Sequence, residues 1–299
     1  MISVLIPVYN YNIINFVESL HKQLTAQNMD FEIRCLDDAS EDAVVLKNKT
    51  ITHLTHTTYT VSETNNGREK TRQLLAESAT YNWLLFLDAD TLPFKDNFIS
   101  TYLPFLNSDF EAVFGGITYQ KTPPKDSELL RWTYGKHREQ KSAKKRNKSP
   151  YLHITSPNFI IKKSVFLTYN SKIKGKDYGF DAYFATLLKR HSVKIKHIDN
   201  EVIHLGLESS ALYLLKTEEA IDTYFKLYKT HKIEASDNKL IALFLKLKYF
   251  KLNVLLAFVF QFLKPKLQRQ LLSKSPNLYL FQLYRLLYLC HFSLNNRNT

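Results

Sequence analysis

Two carboxylates, one residue apart, directly follow an apolar run in the first third of the sequence. Leu85-Phe86-Leu87 is followed by Asp88, Ala89 and Asp90. Such a run is typical of a buried strand, and ligands of open α/β sheets bind beyond the carboxyl ends of the strands. Carboxylate oxygens suit Mg²⁺ or Mn²⁺, ions that neutralise a diphosphate. The pattern therefore indicates a metal-assisted phosphate site, and the alternative is a strand that ends in a solvated acidic turn.

Polar loops also follow two other predicted strands. Asp37 and Asp38 close the second strand, and Tyr9 and Asn10 follow the first. Parallel strands present their carboxyl ends at one edge of a sheet, where ligands bind. We therefore expect the three loops to form one pocket.

The elements that must position these loops alternate between short apolar runs and helix-like stretches. This alternation predicts an α/β domain with a mainly parallel sheet flanked by helices over residues 1–210. A helical, basic and apolar region is expected over residues 211–299. We predict strands at residues 3–7, 31–37, 53–61, 83–88, 112–119, 151–162 and 193–204, and helices at 13–27, 68–80 and 179–190.

Four segments in order, SVLIPVYN, LDDASED, NNGREKTRQ and LFLDADTLP, resemble the family-2 glycosyltransferases of the GT-A fold. The resemblance covers residues 1–210. It implies a Rossmann-like GT-A domain that transfers a sugar from a nucleotide-sugar donor, such as a UDP- or GDP-sugar, with inversion at the anomeric carbon. The acceptor it implies is a hydroxyl of a glycan or of a lipid-linked molecule in cell-envelope polysaccharide synthesis.

The resemblance also implies where the nucleotide sugar binds. Pro7, Tyr9 and Asn10 would line the nucleotide pocket, and Asp38 would accept a hydrogen bond from the base. Three further residues, Asn66, Gly67 and Arg72, match the loop and helix beneath the nucleotide. A glycine at a helix start lets backbone donors approach an anion. The arginine would pair with an acidic residue of the pocket, or else be an ordinary surface helix residue.

The resemblance also implies which residues would bind a metal ion. Asp88 and Ala89 would contact the ribose and metal region, and Asp90 would ligate Mn²⁺ or Mg²⁺. His204, after the last predicted strand, would contact the metal or the diphosphate, and neutral imidazole suits Mn²⁺ better than Mg²⁺. Its alternative is a hydrogen-bonded structural histidine.

The acceptor side rests on fewer matched residues. Asn158 would bind a sugar hydroxyl, although asparagine is also an ordinary turn residue. The helix that begins near Phe180 lies where family members carry a Glu-Asp pair, and here phenylalanine replaces the glutamate. Asp181 is our candidate for the general base, with Asp177 as the second candidate. A carboxylate at a helix start also acts as a cap.

Composition and net charge narrow the classes of protein and of partner that the sequence fits. The net charge is +13, and two cysteines, Cys35 and Cys290, lie far apart in the sequence, so we expect an anionic partner and no disulfide framework. The basic segment over residues 136–148 is expected to be a mobile loop or an exposed helix end over a site.

Two other functions are less favoured by the sequence. A nucleotidyltransferase would typically carry a glycine-rich loop, which the segment VYNYN after the first strand lacks. A nucleic-acid-binding protein is less favoured and no nucleic-acid partner is expected, because the predicted sheet edge is acidic.

The carboxy-terminal region combines leucines and aromatic residues with spaced lysines. Its longest apolar run, residues 252–263, is shorter than the roughly 20 residues of a membrane-spanning helix. No secretory signal is visible at Met1, so we expect a cytoplasmic protein. The region would contact the inner face of the cell membrane peripherally, or it would pack on the catalytic domain or against a second copy.

Overall fold

The computed structural model describes residues 1–295, and these fall into two units. The first unit contains the expected α/β elements, and the second is mostly helical. The first comprises Met1–Gln120, Glu139–Lys176 and Leu187–Gly206, and the second comprises Lys121–Arg138, Asp177–Thr186 and the chain from Leu207 onward. Two short inner segments of the chain therefore belong to the second unit.

Ten strands form two sheets in the first unit. The larger sheet has the order β3-β2-β1-β4-β8-β6-β9, and the smaller has the order β5-β10-β7. In the larger sheet β1 pairs in parallel with β2 and β4, and only β8 runs antiparallel to its neighbours. The strands are β1 Ile2–Val8, β2 Phe31–Asp37, β3 Thr57–Val61, β4 Trp83–Leu87, β5 Thr91–Pro93, β6 Ala112–Phe114, β7 Ile117–Thr118, β8 Asn158–Lys162, β9 Ile195–His197 and β10 Val202–His204.

The α/β prediction is confirmed, and three strand predictions need correction. The stretches predicted as single strands at 112–119 and 193–204 each form two strands that belong to different sheets. Gly115 and Gly116 make the first break: a Cβ on Gly115 would lie 2.3 Å from the Tyr102 hydroxyl, and Gly116 has a φ of +93°. The third prediction, 151–162, begins instead with the 3₁₀ turn Pro150–His153.

Helices cover the larger sheet and build the second unit. Apolar side chains of β1 and β4, including Val4, Ile6, Leu85 and Leu87, are fully buried in the core of the first unit. The helices are α1 Ile14–Thr25, α2 Asp42–Asn48, α3 Arg68–Ser78, α4 Phe98–Tyr102, α5 Leu129–Tyr134, α6 Ala143–Arg146, α7 Lys163–Asn170, α8 Phe180–Arg190, α9 Ser210–Lys229, α10 Lys239–Tyr249, α11 Leu252–Leu271 and α12 Leu278–Asn295.

The second unit has its own core between α9, α11 and α12. Phe260, Leu271, Phe281 and Tyr284 are buried there. The Tyr288 hydroxyl of α12 donates a hydrogen bond of 3.0 Å to Asp222 of α9. Among residues 1–295, no helix combines the length and the apolar character that crossing a membrane requires.

The basic segment 136–148 is mostly helical and keeps exposed residues such as Lys144, Lys145 and Lys148, but Arg146 within it is buried. Arg146 is 3% exposed and donates hydrogen bonds to the carbonyl oxygens of Phe114, Gly115 and Ile198. It also donates to Nδ1 of His197, so that ring is neutral, and burial lowers the pKa of His197 to about 4. A charged guanidinium can be buried because these acceptors satisfy its donors. Arg146 therefore joins the ends of β6 and β9 instead of facing a ligand.

We expect the Arg146→Ala variant to lose at least about 3 kcal/mol of unfolding free energy, because the carbonyl oxygens of Phe114, Gly115 and Ile198 each lose a hydrogen bond and a buried cavity is left. Urea denaturation measures this loss. Lys145→Ala is the matched control: Lys145 is exposed, and its removal should change stability by about 0.5 kcal/mol or less. Equal urea midpoints for the two variants would contradict the structural role.

Candidate functional site

Three loops meet at the carboxyl edge of the larger sheet, as the sequence predicted. They follow β1, β2 and β4, and β1 lies between the other two strands. The chain moves outward from β1 to β2 and β3, and then returns to the other side of β1 with β4. Such a reversal leaves a crevice at the strand ends, and this crevice is where open α/β sheets bind their ligands.

The loops after β1 and β2 are joined by hydrogen bonds. The backbone N–H of Asn10 donates to the Ser40 hydroxyl (2.7 Å), and the backbone N–H of Glu41 donates to the Asn10 side chain (2.9 Å). Asn10 has a φ of +49°, a conformation that asparagine tolerates better than most residues. The Tyr9 side chain is 56% exposed beside this junction and is free to meet a ligand.

Asp38 holds the loop before α3. Its carboxylate accepts from the backbone N–H groups of Asn66 (2.7 Å) and Gly67 (2.8 Å) and from the Asn66 side chain (3.2 Å). The acid expected near the base and the loop expected beneath the nucleotide therefore form one cluster. A carboxylate has about four acceptor positions, so one position remains for the expected contact with a base.

Gly67 and Lys176 meet at the start of α3. Gly67 has a φ of +82°, and a Cβ there would lie 2.9 Å from Cγ of Lys176. The Lys176 ammonium donates to the carbonyl oxygen of Asn65. Sequence analysis missed this lysine, because a single basic residue in a polar stretch carries no signal of its long-range partner.

Arg72 forms the charged pair that the sequence suggested. It is 2% exposed, and its guanidinium donates to the Asp88 carboxylate and, at 3.3 Å, to the carbonyl oxygen of Ser156. The alternative of a surface helix residue is wrong. Without Asp88 the buried guanidinium of Arg72 would keep only the carboxylate of Glu69, 3.8 Å away, as an acidic partner, and losing one partner of a buried ion pair is destabilising.

Asp90 lies beside His204 because two short strands pair. β5 begins at the residue after Asp90, and its Thr91 is directly opposite His204 of β10. The backbone N–H of Leu205 adds a hydrogen bond of 2.9 Å to the Asp90 carbonyl. The result is a distance of 3.3 Å between Nε2 of His204 and Oδ2 of Asp90.

Tyrosines surround this pair. The ring of Tyr119 makes an edge contact with His204, with centroids 5.8 Å apart. Burial, followed by the negative charge of Asp90, raises the pKa of Tyr11. Sequence analysis missed both residues, although Tyr11 directly follows the Tyr9-Asn10 motif and could have been included with it.

The Asp90 and His204 pair fits a divalent metal ion. Two neighbouring ligands of an ion with bonds of about 2.1 Å are about 3 Å apart, close to the 3.3 Å observed. A carboxylate with an imidazole is a donor set that Mn²⁺ accepts. Within residues 1–295, no three His, Cys, Asp or Glu side chains are grouped to hold a metal. Other ligands would therefore come from the bound substrate or from water.

Asn158 belongs to the scaffold, which corrects the expected acceptor role. It is 1% exposed, and its side-chain oxygen accepts from the Tyr102 hydroxyl at 2.6 Å. Its side-chain nitrogen donates to the carbonyl oxygens of Gly116 (3.0 Å) and Asn200 (2.7 Å). Because these bonds use both donors of the amide, the side chain holds the two sheets' connecting segments instead of meeting a sugar.

The two candidate bases, Asp177 and Asp181, lie in the second unit. Asp177 is exposed, and Asp181 is half-buried in the first turn of α8. Between them the backbone N–H of Tyr178 donates to Glu219 of α9 at 2.7 Å. This bond and the positive φ of Gly179 (+106°) define the start of α8. Their catalytic roles remain predictions.

Residues 3–169 match the family model described as glycosyl transferase family 2, and they make up more than half of the chain. The chain belongs to glycosyl transferase family 2. The matched residues include the three strand-end loops and Arg72, whereas His204 and Asp181 lie beyond them.

Uncharacterised glycosyltransferases of two bacteria match part of this chain. An uncharacterised glycosyltransferase of Rickettsia felis is 32% identical over 127 residues, which are 40% of this chain and 19% of that protein. One of Haemophilus influenzae is 34% identical over 91 residues, which are 30% of this chain and 29% of that protein. The matched part thus spans less than a third of either relative's length.

Two solved structures share the fold over nearly the full chain. The mannosyltransferase PcManGT of Pyrobaculum calidifontis, in complex with GDP-Man and Mn²⁺, has a TM-score of 0.56 at 13% identity and covers 100% of this chain and 88% of its own. S. aureus TarS 1-349, in complex with UDP-GlcNAc, has a TM-score of 0.53 at 15% identity and covers 99% and 92%. The expected GT-A fold is confirmed.

A substitution at Gly206 tests whether the Asp90 position matters. A Cβ at Gly206 would lie 2.2 Å from Oδ2 of Asp90, so Gly206→Ala must displace that carboxylate. We expect Mn²⁺-supported binding of UDP or GDP, measured by calorimetry, to weaken at least about tenfold, the cost of roughly 1.4 kcal/mol of lost ligation. Leu205→Ala, which removes only part of a 38% exposed side chain, is the control. Unchanged affinity in Gly206→Ala would contradict the assignment.

Proposed function

We propose that this protein is a metal-dependent inverting glycosyltransferase that moves a hexosyl group from a nucleotide sugar to an acceptor hydroxyl. The observation that carries the proposal is the Asp90–His204 pair, 3.3 Å apart beside the sheet edge where Asp38 and Asp88 also lie. Family membership supplies the reaction class. No observation in the described residues favours a nucleotidyltransferase.

The proposed metal is Mn²⁺ or Mg²⁺, held by Asp90 and His204. When bound, it would neutralise the charge of the nucleoside diphosphate as that group leaves. Arg72 is paired with Asp88 and would hold the orientation of its carboxylate. Asp88 would then contribute to binding the ribose region. The neutral form of His204 would serve as the ligand, because a protonated imidazole has no free lone pair.

The proposed donor is a UDP- or GDP-sugar. PcManGT was solved with GDP-Man and TarS with UDP-GlcNAc, and both share this chain's fold. In this chain Pro7, Tyr9 and Asn10 would line the nucleotide pocket, with Asp38, Asn66 and Gly67 beneath it. The hydrogen bonds that already join these loops would let the pocket bind without first ordering itself, which lowers the entropic cost of binding.

The proposed transfer is a single displacement. Asp181 would remove the proton from the acceptor hydroxyl, whose oxygen would bond to the anomeric carbon as the bond from that carbon to the diphosphate oxygen breaks. One displacement inverts the configuration and leaves no covalent sugar–enzyme intermediate. Asp177 is the second candidate for the base.

The proposed acceptor is a glycan or a lipid-linked molecule of the cell envelope, and the proposed place of action is the inner face of the cell membrane. The helical region from α9 onward supports this placement. Over residues 239–295 it carries nine lysines and arginines and no aspartate or glutamate, a charge pattern suited to an anionic surface.

Metal dependence can be tested with the nucleotide alone. Wild-type protein should bind UDP or GDP at least about tenfold more tightly with Mn²⁺ than in chelator, and Asp90→Ala should abolish the difference because a direct ligand is lost. His204→Ala should reduce it. Calorimetry measures all three, with the exposed Asp96→Ala as control. Equal wild-type affinity in metal and in chelator would refute the metal assignment.

The base assignment can be tested by Asp181→Asn, which keeps the shape and removes the basicity. We expect release of nucleoside diphosphate from a panel of UDP- and GDP-sugars to slow by about 10²–10⁴-fold. Nucleotide affinity should stay at the wild-type value. The variant should also lose the acid limb of the pH–rate profile, which a merely structural change would leave in place. Normal turnover in Asp181→Asn together with loss in Asp177→Asn would transfer the role to Asp177.

A further inference from the structure

An apolar face of α11 is exposed in the second unit. Five of its residues are 44% to 64% exposed: Leu252, Val254, Leu255, Phe258 and Phe262. The positions 255, 258 and 262 are three and four residues apart, so they lie on one side of the helix. The other side, with Ala257, Phe260 and Leu271, is buried. The helix is thus apolar on both sides, although a helix of this kind is normally buried all round.

Two further exposed aromatic residues precede α11. Tyr249 is 82% exposed and Phe250 is 68% exposed. Their rings contact each other with centroids 5.1 Å apart, and the rings of Phe258 and Phe262 do so at 4.9 Å. We name these four residues and Leu255 the aromatic stripe. An exposed apolar patch of this kind marks a surface for a protein or a membrane.

A cavity of about 520 Å³ lies at the start of α11, and three lysines are among the residues that line it. Lys229 ends α9, Lys248 lies in the last turn of α10, and Lys251 precedes α11 with a φ of +59°. Asn253 and Val254 also line the cavity, and no acidic residue does. Val254 is shared with the exposed face of α11, so the cationic cavity and the apolar face are continuous.

These three lysines have no anionic partner among residues 1–295: none of the ion pairs of the described chain involves Lys229, Lys248 or Lys251. Three exposed lysines that line one cavity concentrate positive charge, which a bound anion would neutralise. The left-handed backbone at Lys251 costs free energy for a residue other than glycine. Both features fit a site that is stabilised by a bound anion.

We propose that this surface binds an anionic phospholipid: the three-lysine cavity takes the phosphate of the headgroup, and the aromatic stripe enters the interface of the bilayer. A protein partner fits less well, because lysines are depleted from the centre of protein interfaces. A free phosphate would use the cavity but not the stripe. The proposal rests on the membrane placement given under the proposed function and makes it specific, but it does not depend on glycosyl transfer, so either can fail alone.

Sedimentation of the full chain with vesicles tests the proposal. Wild-type protein should pellet with vesicles of phosphatidylcholine and phosphatidylglycerol, and much less with phosphatidylcholine alone or in high salt. The triple variant Lys229→Gln, Lys248→Gln, Lys251→Gln should bind at least about tenfold more weakly. The double variant Phe258→Ser, Phe262→Ser should lose binding as well, because the apolar anchor is gone.

The matched control is Lys144→Gln, Lys145→Gln, Lys148→Gln, which makes the same change in net charge at three exposed lysines. It should bind vesicles like the wild type. Melting temperatures verify that each variant is folded, and since all the substituted side chains are exposed, they should match the wild type.

Three results would overturn the proposal. Equal losses in the two lysine triples would show attraction by net charge alone. Lysine-dependent binding of inorganic phosphate in calorimetry, without vesicle binding, would assign the cavity to a soluble anion. A wild-type dimer that ignores vesicles and dissociates in the double phenylalanine variant would assign the stripe to a second copy of the chain.

Discussion

The pairing of β5 with β10 is the constraint on which the candidate site depends. It sets Thr91 opposite His204, and the residue before Thr91 is Asp90. Backbone hydrogen bonds therefore bring the two proposed metal ligands side by side, and their side chains span the remaining distance to 3.3 Å. β10 also pairs with β7, which holds it from the other side. A sheet of only three short strands thus brings together groups that are more than a hundred residues apart in sequence.

The two acids of the Asp88-Ala89-Asp90 motif have different partners and, on our proposal, different roles. Asp88 is paired with Arg72, a buried residue of α3, and this pairing leaves little net charge at that position. Asp90 lies beside His204 instead. On our proposal the first carboxylate, oriented by Arg72, helps to bind the ribose region and the second holds the metal ion, a division that the spacing of the residues alone does not reveal.

Much of the larger sheet could be predicted from sequence, because each strand's apolar run and the polar residues after it are local signals. The bounds of β2 were predicted without error, and the position of Arg72 next to a pocket acid followed from the family resemblance. The acceptor role expected for Asn158 and the exposure expected for Arg146 were wrong for one physical reason. The partners of Asn158 lie 42 and 56 residues away, and those of Arg146 are mainly carbonyl oxygens. Carbonyl groups occur at every residue, so no sequence pattern distinguishes a buried arginine that binds them from an exposed one.

The bounds of the shorter strands were predicted wrongly for a related reason. The stretch 112–119 was predicted as one strand although its Gly115-Gly116 pair is a local turn signal, and the tertiary surroundings of Gly115 show why the chain must turn there. The same holds for Tyr11 and Lys176, whose neighbours are decided by topology.

The two units are interleaved along the chain, which passes from one to the other after Gln120, Arg138, Lys176, Thr186 and Gly206. Neither unit is a continuous stretch of polypeptide. A single cut in the chain therefore does not separate one unit from the other. A ribosome that has released the first two hundred residues has made nearly all of the first unit but only two short fragments of the second. During synthesis those fragments, one of which contains Asp181, cannot pack into their unit until the helices from Leu207 onward have been made.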